Sequence, residues 1–583
     1  MIQLVSLRAT TMRSELKFRL RILSGIFILA ALLLVLRLYF IQIVHGADYR
    51  EDAMGQYTAP DQDTQTRGSI LFTSKDGTEV AAAVMQTGWR IAINPKLIVD
   101  THATYKALNA IVPVDADRYY AGAEKKSDPY EEIAFRASDE SAAKIRAQKL
   151  PGVILAHDQW RFYPGRELAA NAIGFVGFKD DTKTGVYGLE KQYNLTLGIH
   201  AKGTTMNPFA EIFTNAQAIL SRNPASSEGS IVTSIEPNVE RQLENTLDLV
   251  MKTYTPRLAG GIVMDPRTGA IVAMATRPTY DPNTYNTVDD AAVFSNPMVE
   301  GRYELGSIMK PLTMAAGIDS GSVTPEMTYN DTGCTTISTY KICNFDLKAR
   351  GVVPMQEILN QSLNMGASFV ATKMGYPTFT RYMESYGFNQ ETSVDLPNEV
   401  KGDLSPLGKG SGPAINYATA SFGQGISVSP IEMIRALSAL ANEGMLPNPH
   451  IVKAIKFENG VKRSIAVSRG TQVLQPETAQ VVTNMLVTVF DNSLLHGELK
   501  QDHYSIAAKT GTAQIPKPGG GYYGDSRYLH SFFGYFPAHD PKFIVFLFAI
   551  EPHGQQYASA TLARPFLDIA KYLINYYQIP PDR

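Results

Sequence analysis

One serine in this sequence is placed where it could act as a nucleophile without help from a histidine. Ser307 is followed three residues later by Lys310, and on a helix that spacing puts both side chains on one face. A neutral lysine amine could then take the proton of the serine hydroxyl. The spacing alone does not select this pair, because Ser-x-x-Lys also occurs at Ser14/Lys17, Ser141/Lys144 and Ser338/Lys341.

The surroundings of the four pairs favour Ser307. Tyr-Glu-Leu-Gly precedes it, and an apolar helical pattern follows it over residues 311–318. Gly306 permits a tight turn, so we expect the serine in the first turn of a helix, where free backbone N–H groups favour developing negative charge. Ser14/Lys17 lies in a basic N-terminal stretch, and Ser141/Lys144 lies in a charged stretch typical of a solvated surface. Ser338/Lys341 lies in an expected loop between two cysteines.

Two more motifs follow in the order that a serine acyl-transfer site of this kind requires. They are Ser362-Leu363-Asn364 and Lys509-Thr510-Gly511-Thr512. Together with Ser-x-x-Lys they form a known catalytic signature. A second Lys-Thr-Gly, over residues 183–185, precedes the serine and is interpreted as a solvated turn. Ser362 alone could equally be an ordinary hydroxyl bonded to its own backbone, so the prediction depends on the ordered set.

The sequence favours chemistry without a metal or cofactor. Its ten histidines are scattered and none forms His-Glu-x-x-His. Cys334 and Cys343 are the only cysteines, which is too few ligands for a structural zinc site. If they lie in an oxidising compartment they could form a local disulfide, and the alternative is two separate buried thiols.

The N-terminal segment predicts a membrane anchor. Residues 22–44 are apolar and Arg37 is their only charged residue, and a helix of this length can span a bilayer. The charged residues of the preceding segment 1–21 are five Lys or Arg and a single Glu, which predicts a cytoplasmic tail and puts the rest of the chain outside. No Ala-x-Ala-like site supports the alternative of a cleaved signal peptide. Arg37 is interpreted as snorkelling to the interface, with contact to another membrane protein as the alternative.

The remaining chain is long enough for more than one domain. Turn-forming residues over 222–229 predict a boundary between an extracytoplasmic module at 45–228 and a second unit at 229–583. That unit predicts a helix over 236–254, a hairpin over 260–276, a strand over 543–550 and a helix over 562–577. The net charge of −2 gives no field that would attract nucleic acid.

Beyond these motifs, the chain resembles class B penicillin-binding proteins over nearly its full length past the cytoplasmic tail. Segments that begin at Arg67, Arg161 and Gly188 are similar to the family's pedestal, and segments that begin at Asp265, Ala418 and Lys509 are similar to its catalytic domain. The chain departs from the family at Leu305, where proline is usual, and in Phe-Thr-Ser-Lys-Asp-Gly at 72–77, which replaces an acidic run.

The resemblance implies an α+β multidomain protein. It would have a single N-terminal transmembrane helix and a mixed α/β pedestal of the dimerisation type over residues 45–228. A penicillin-recognising serine transpeptidase domain over 229–583 would combine an antiparallel sheet packed with helices and an all-helical subdomain. Such a protein sits in the cytoplasmic (inner) membrane with its catalytic domain outside.

The resemblance also implies roles for the motif residues in acylation. Ser307 would attack the penultimate D-Ala carbonyl of a stem peptide, with Lys310 as its base. Burial beside Lys509 would lower the pKa of Lys310 as this role requires. Ser362 and Asn364 would relay the leaving-group proton and hold Lys310.

Substrate binding falls to the last motif on the same resemblance. Lys509 and Thr510 would bind the substrate carboxylate, and Gly511 would leave room for the peptide. The backbone N–H groups of Ser307 and Thr512 would form the oxyanion hole.

The implied partners are stem peptides ending in D-Ala-D-Ala, β-lactam antibiotics, a polytopic membrane glycan polymerase and division proteins, with no cofactor and no nucleic acid. The Glu-x-x-Leu-Asn motif of β-lactamases is absent between Ser362 and Lys509, which favours transfer to an amine over hydrolysis. Ser-Phe-Gly-Gln-Gly-Ile-Ser-Val at 421–428 favours a septal role in cell division. The alternatives are an elongation-type protein, a β-lactam sensor and a non-catalytic scaffold.

Overall fold

A computed structural model of the chain describes residues 32, 34, 37, 65–179, 182–198, 200–201, 229–457, 460–468, 470–524 and 527–583. The cytoplasmic tail predicted over 1–21 lies outside the described residues. So does the anchor predicted over 22–44, apart from Leu32, Leu34 and Arg37. Within the described part, no helix has the length and the apolar run that crossing a bilayer requires.

The C-terminal part of the chain is built on a five-stranded antiparallel sheet. The hairpin predicted around Asp265-Pro266-Arg267-Thr268-Gly269 is confirmed, with Ile262 opposite Met274. The predicted strand Phe543–Ile550 is also confirmed and lies at the centre of the sheet. The spatial order of the strands is Ile271–Arg277, Leu258–Met264, Phe543–Ile550, Tyr528–Phe536 and Ala507–Gln514. The last of these, which we call the Lys-Thr-Gly strand, therefore has one free edge.

Both faces of this sheet are covered, which explains why its central strand is apolar throughout. Val545 and Leu547 pack with the helices Pro237–Tyr254 and Ala558–Tyr577. Phe546 and Phe548 point to the other face and join the core of the helical layer. The first of these helices matches its prediction. The second helix begins four residues earlier than predicted. Its first turn has no capping side chain, so the sequence carries no signal for where the helix begins.

The predicted all-helical subdomain corresponds to a layer that is mainly helical but also contains strands. Its helices are Pro297–Glu300, Lys310–Asp319, Met355–Asn360, Asn364–Met374, Tyr376–Ser385, Ala414–Ala420, Pro430–Ser438 and Pro476–Thr488. Short antiparallel pairs interrupt it, formed by Thr328–Asp331 with Gly351–Pro354, Cys334–Ile337 with Tyr340–Cys343, and Met445–Leu446 with Thr471–Gln472.

A second, seven-stranded sheet contains strands from both sides of the boundary predicted at 228/229. Its order is Lys462–Ser464, Val452–Phe457, Gly229–Thr233, Ile70–Thr73, Glu79–Ile93 and Glu131–Ala137, and Val153–Phe162 also pairs with Glu79–Ile93. Ile70–Thr73 runs parallel to Gly229–Thr233. Residues 66–199 and 224–583 belong to one compact unit, so the division into modules stays a prediction.

The rest of the described N-terminal part consists of small elements. Its helices are Thr101–Asn109, Ala116–Glu124, Asp139–Ala147, Ala170–Ile173, Gly188–Gln192 and Asn194–Leu197. Its remaining strands are Gln65–Thr66, Val176–Lys179, Thr182–Gly185 and His200–Ala201. The solvated turn expected at 183–185 is wrong, because these residues belong to a strand paired with Val176–Lys179.

Three segments that resemble the pedestal meet in a buried ion cluster. Glu190 is fully buried, and its carboxylate accepts hydrogen bonds from Arg67 Nε and Arg161 Nε, each at 2.6 Å. Burial by itself would raise the pKa of Glu190, but the two arginines outweigh it and hold the pKa below its ordinary value. The cluster ties together residues that are far apart in the chain.

Candidate active site

Ser307 lies in a short 3-10 turn, Gly306–Met309, that leads directly into the helix Lys310–Asp319. We call it the serine turn. The serine was expected in the first turn of a helix, and this turn is of the 3-10 type. Pro311 fits the first positions of an α-helix, and the α-helix proper begins after the serine. Gly306 has φ +67°, which favours glycine, and a Cβ there would lie 3.1 Å from the backbone of Thr512.

The serine turn is held in place by two hydrogen bonds to its backbone, one with the helical layer and one with the sheet. Gly306 N donates to Gly423 O at 3.0 Å, and Ser531 Oγ donates to Leu305 O at 2.7 Å. A Cβ at Gly511 would lie 2.5 Å from Leu305 O, so glycine is needed there for the turn to rest on the Lys-Thr-Gly strand. Leu305 is buried in the place where the family usually has proline.

Lys310 is almost completely buried, with 1% of its surface exposed. Its Nζ donates to Ser362 O at 2.5 Å, Ser362 Oγ at 3.2 Å and Asn364 Oδ1 at 2.8 Å, and none of these bonds goes to Ser307. Burial lowers the pKa of Lys310 well below the ordinary lysine value, and the positive charge of Lys509 lowers it further. Both causes agree with the direction expected from the sequence.

The Ser362 hydroxyl lies between the two lysines. Lys509 Nζ donates to Ser362 Oγ at 3.1 Å, so this oxygen is within hydrogen-bond distance of both amines. Lys509 is 2% exposed, and burial lowers its pKa to about 7. Ser362 has φ +54°, a left-handed conformation that is costly for serine and is found at functional sites.

Asn364 joins the site to the only disulfide. Its Oδ1 accepts from Lys310, and its Nδ2 donates to Cys343 O at 3.0 Å. The predicted Cys334–Cys343 disulfide is confirmed. The two cysteines face each other across a β-hairpin, where the sequence predicted a loop. The competing pair Ser338 and Lys341 is exposed on this hairpin.

The Lys-Thr-Gly strand presents alternate residues to the site. Lys509 and Gly511 are buried, whereas Thr510 and Thr512 are half-buried. Thr512 Oγ1 accepts a hydrogen bond from Ala558 N at 3.1 Å, which fixes the strand to the start of the C-terminal helix. All the predicted site residues therefore belong to segments that meet at the serine turn and this strand.

Sequence reasoning missed the supports of the serine turn, Gly423 and Ser531. Gly423 lies in the Ser-Phe-Gly-Gln-Gly run, which gave a family signal but no structural role. The hydroxyl of Ser531 gave no signal at all. Among the described residues, no group of three or more His, Cys, Asp or Glu side chains is arranged to hold a metal ion.

Comparisons with known proteins find relatives that align along most of the chain. The family model "Penicillin-binding Protein dimerisation domain" matches residues 63–207. "Stage V sporulation protein D" of Bacillus subtilis is 28% identical over 573 residues, which cover 96% of this chain and 84% of that protein. "Peptidoglycan D,D-transpeptidase FtsI" of Buchnera aphidicola is 24% identical over 575 residues, which cover 97% of this chain and 96% of that protein.

A solved structure shares the fold. The crystal structure of Penicillin Binding Protein 2X from Streptococcus thermophilus superposes with a TM-score of 0.70 at 21% identity, covering 89% of this chain and 81% of that one. The family model "Penicillin binding protein transpeptidase domain" matches residues 259–571, which contain every predicted site residue. Because this match spans more than half of the chain, the protein belongs to the penicillin-binding protein family and carries its transpeptidase domain.

Proposed function

We propose that this protein is a serine-type D,D-transpeptidase that cross-links peptidoglycan stem peptides through an acyl-enzyme on Ser307 and releases D-Ala. The observation that carries the proposal is the placement of two buried lysines, Lys310 and Lys509, on either side of the Ser362 hydroxyl. A relative with this activity in its name aligns over almost the whole chain.

Acylation follows from the depressed pKa of Lys310. In its neutral form this amine takes the proton of Ser307 Oγ as the oxygen attacks the penultimate D-Ala carbonyl. The N–H groups of Ser307 and Thr512 stabilise the oxyanion, and loss of one such donor typically costs ~100–1,000-fold in rate. The C–N bond then breaks, and Ser362 passes the proton to the leaving D-Ala amine.

The free edge of the Lys-Thr-Gly strand receives the donor peptide. An extended peptide can pair with such an edge through main-chain hydrogen bonds. Lys509 and Thr510 then bind the terminal carboxylate, and Gly511 allows the serine turn to lie close beside the strand. Lys509 must be charged for this, and its pKa of about 7 allows both forms near neutrality.

Transfer to an amine completes the reaction. The amine of a second stem peptide attacks the Ser307 ester, a C–N bond forms, the C–Oγ bond breaks, and the displaced proton returns to Ser307. No Glu-x-x-Leu-Asn glutamate stands between Ser362 and Lys509 to activate water. β-Lactams acylate Ser307 in the same way as a stem peptide. They then stay bound, because no such glutamate activates water to hydrolyse the ester.

Labelling of the full chain with a fluorescent penicillin tests the assignment. The wild type should label covalently, and Ser307→Ala should not. Ser338→Ala is a matched control, because it removes the serine of an exposed Ser-x-x-Lys pair. Wild type that fails to label, or Ser307→Ala that still labels, would defeat the proposal.

The cellular setting extends this proposal. Residues 22–44 anchor the chain in the cytoplasmic membrane, with 45–228 and 229–583 outside as pedestal and transpeptidase. Anchor and pedestal contact a polytopic glycan polymerase and division proteins during septal wall synthesis. Depletion of the protein should give filamentous cells, whereas rounded cells would indicate the elongation role. Ser307→Ala that still supports growth would indicate a scaffold.

A further inference from the structure

A buried histidine stands beside the Lys-Thr-Gly strand, and the mechanism above gives it no role. His530 lies directly opposite Thr512 in the antiparallel pairing of Tyr528–Phe536 with this strand. Directly opposite residues present their side chains on the same face of a sheet, and both of these side chains contact the first turn of the C-terminal helix. The next residue, Ser531, reaches the serine turn from the other face.

Both ring nitrogens of His530 have partners. The side chain is fully buried, its Nε2 lies 3.1 Å from Gln556 O, and its Nδ1 lies 2.9 Å from Thr561 Oγ1. A carbonyl oxygen can only accept, so in the neutral ring Nε2 carries the proton and Nδ1 accepts from the Thr561 hydroxyl. Burial lowers the pKa of His530 to about 4, which keeps the ring neutral near pH 7. The ring therefore holds one backbone carbonyl and one hydroxyl in fixed positions.

These two contacts lie on either side of the first residue of the C-terminal helix. The helix begins at Ala558, between Gln556 and Thr561, and no side chain caps its start. The first N–H groups of an α-helix have no acceptor inside the helix. The N–H of Ala558 donates instead to Thr512 Oγ1 at 3.1 Å. His530 thus holds the helix start, and the helix start holds Thr512.

Thr512 needs this support because its strand lies at the edge of the sheet. Tyr528–Phe536 is the neighbour of the strand on one side, and the other side is the free edge assigned to the donor peptide. The backbone of Thr512 also meets the serine turn, since a Cβ on Gly306 would lie 3.1 Å from it. A small shift of Thr512 would therefore change the distance between the two N–H groups of the oxyanion hole, whose donors act at about 2.7–3.1 Å.

We propose that His530 is a positioning residue for acylation. Through Gln556 and Thr561 it holds the start of the C-terminal helix, and the helix start keeps the N–H of Thr512 directed at the oxyanion. His530 itself touches no substrate and transfers no proton. The inference rests on the proposed function, because it concerns the oxyanion hole of the same acylation reaction.

A histidine that only stabilises the core would affect a different quantity. Loss of two buried hydrogen bonds lowers stability wherever they lie in a protein. Displacement of an oxyanion donor lowers the rate of acylation more than it weakens binding, because the negative charge develops in the transition state. The two roles are therefore separated when the rate constant of acylation is measured apart from the affinity for penicillin.

Labelling of the full chain at increasing concentrations of fluorescent penicillin gives both quantities. His530→Leu removes both hydrogen bonds, so it should lower the acylation rate constant roughly tenfold and change the dissociation constant of the initial complex by less than about twofold. His530→Gln keeps a side-chain N–H near the position of Nε2, so its rate constant should return to within about threefold of wild type. His553→Leu is a matched control, because His553 is an exposed histidine shortly before the same helix, and both quantities should stay unchanged.

A second variant tests the link without altering the histidine. Thr512→Val keeps the backbone N–H and the size of the side chain but removes the acceptor for Ala558 N, so the acylation rate constant should again fall roughly tenfold. In the His530→Leu background it should cause little further loss, because both substitutions break the same link. Fully additive losses would show that the two residues act separately and would overturn the inference.

The remaining outcomes also distinguish the possibilities. If His530→Leu is less stable in urea but acylates at the wild-type rate, the histidine only stabilises the core and the inference is wrong. It is also wrong if only the dissociation constant rises, or if His530→Gln acylates no faster than His530→Leu. Thr512→Val with a wild-type rate constant overturns the inference even if the His530 variants do not fold. Wild type that does not label overturns the proposed function as well.

Discussion

At the scale of single residues, the two buried lysines determine how the site responds to pH. Lys310 must be neutral to accept the serine proton, and its pKa is well below the ordinary lysine value. Lys509 must be charged to bind a carboxylate, and its pKa is about 7. The two requirements oppose each other, because deprotonation activates one lysine and disables the other.

This opposition predicts a bell-shaped pH dependence of penicillin labelling. The rate should fall in acid as Lys310 becomes protonated, and it should fall above pH about 7 as Lys509 loses its charge. Rates measured on the full chain across pH 4 to 10, a range chosen to span both limbs, check this. A rate that is constant through neutrality would contradict the paired-lysine mechanism.

The substitution Lys509→Met should lower the activity of the protein without lowering its stability. Labelling should fall by roughly a hundredfold, since the carboxylate of penicillin loses a buried charged partner. The free energy of unfolding should not fall, because burial disfavours the protonated amine in the native state.

The stability gain of Lys509→Met should itself depend on pH. The folded-state pKa of Lys509 is lower than the unfolded one, so the wild type has its full penalty below pH about 7 and loses it as pH rises towards the ordinary lysine value. Urea unfolding of both proteins at several pH values measures the difference. A variant that is less stable than wild type at acid pH would contradict this account.

Residue-level roles divide into those that the sequence could predict and those that it could not. Ser307, Lys310 and Lys509 are recognisable because their chemistry needs fixed residue types in a fixed order. Ser531 and Gly423 act through a hydroxyl and a backbone carbonyl on Leu305 and Gly306. Contacts of this kind form only when distant segments fold together, so no local sequence pattern predicts them.

At the scale of elements, the ion cluster of Arg67, Arg161 and Glu190 joins three separate segments of the N-terminal part. Such a cluster contributes little net energy compared with apolar packing, but loss of one partner leaves buried charges unpaired. The fold of this part should therefore be sensitive to a substitution that removes a single charge from the cluster.

Glu190→Gln should lower the free energy of unfolding by about 3–5 kcal/mol, because both arginines remain buried without a counter-charge. Urea denaturation monitored by circular dichroism measures the loss. Glu140→Gln is a matched control, since Glu140 pairs with Lys144 on the surface and its removal should leave stability nearly unchanged. Equal effects of the two substitutions would contradict the role of burial.

The observed helices and strands match the predicted ones where the hydrophobic periodicity of the sequence is strong. Phe543–Ile550 and Pro237–Tyr254 were predicted because continuous apolar runs and helical spacing are local signals. The hairpin around the disulfide and the strand Thr182–Gly185 were not, because both are short and polar. Their structure comes from pairing partners, which local propensity does not reveal.

At the scale of the whole molecule, a seven-stranded sheet joins strands from both sides of the predicted boundary at 228/229. Gly229–Thr233 lies between Ile70–Thr73 and Val452–Phe457, so each predicted module supplies strands to the same sheet. The turn-rich stretch over 222–229 predicts a domain boundary because turn signals are local, whereas the order of strands in a sheet is set by contacts between distant parts of the chain and has no local signal.

The shared sheet predicts that the described parts of 66–199 and 224–583 unfold together. Thermal unfolding followed by circular dichroism and by tryptophan fluorescence should give coincident transitions, because Trp89 and Trp160 both lie on strands of this sheet. Addition of a penicillin should shift both signals by the same amount. A fluorescence transition that precedes the other and ignores penicillin would indicate independent modules.

The same strand order also has a consequence in time. Ile70–Thr73 cannot pair with its parallel neighbour until Gly229–Thr233 has been synthesised. Gly229–Thr233 in turn cannot pair with its other neighbour until Val452–Phe457 has been synthesised. If the chain is exported from its N-terminus, the first part to emerge must remain incomplete until most of the polypeptide has followed. Closing contacts between such distant segments is slow, so biogenesis of this enzyme should depend on whatever protects the early segment during synthesis.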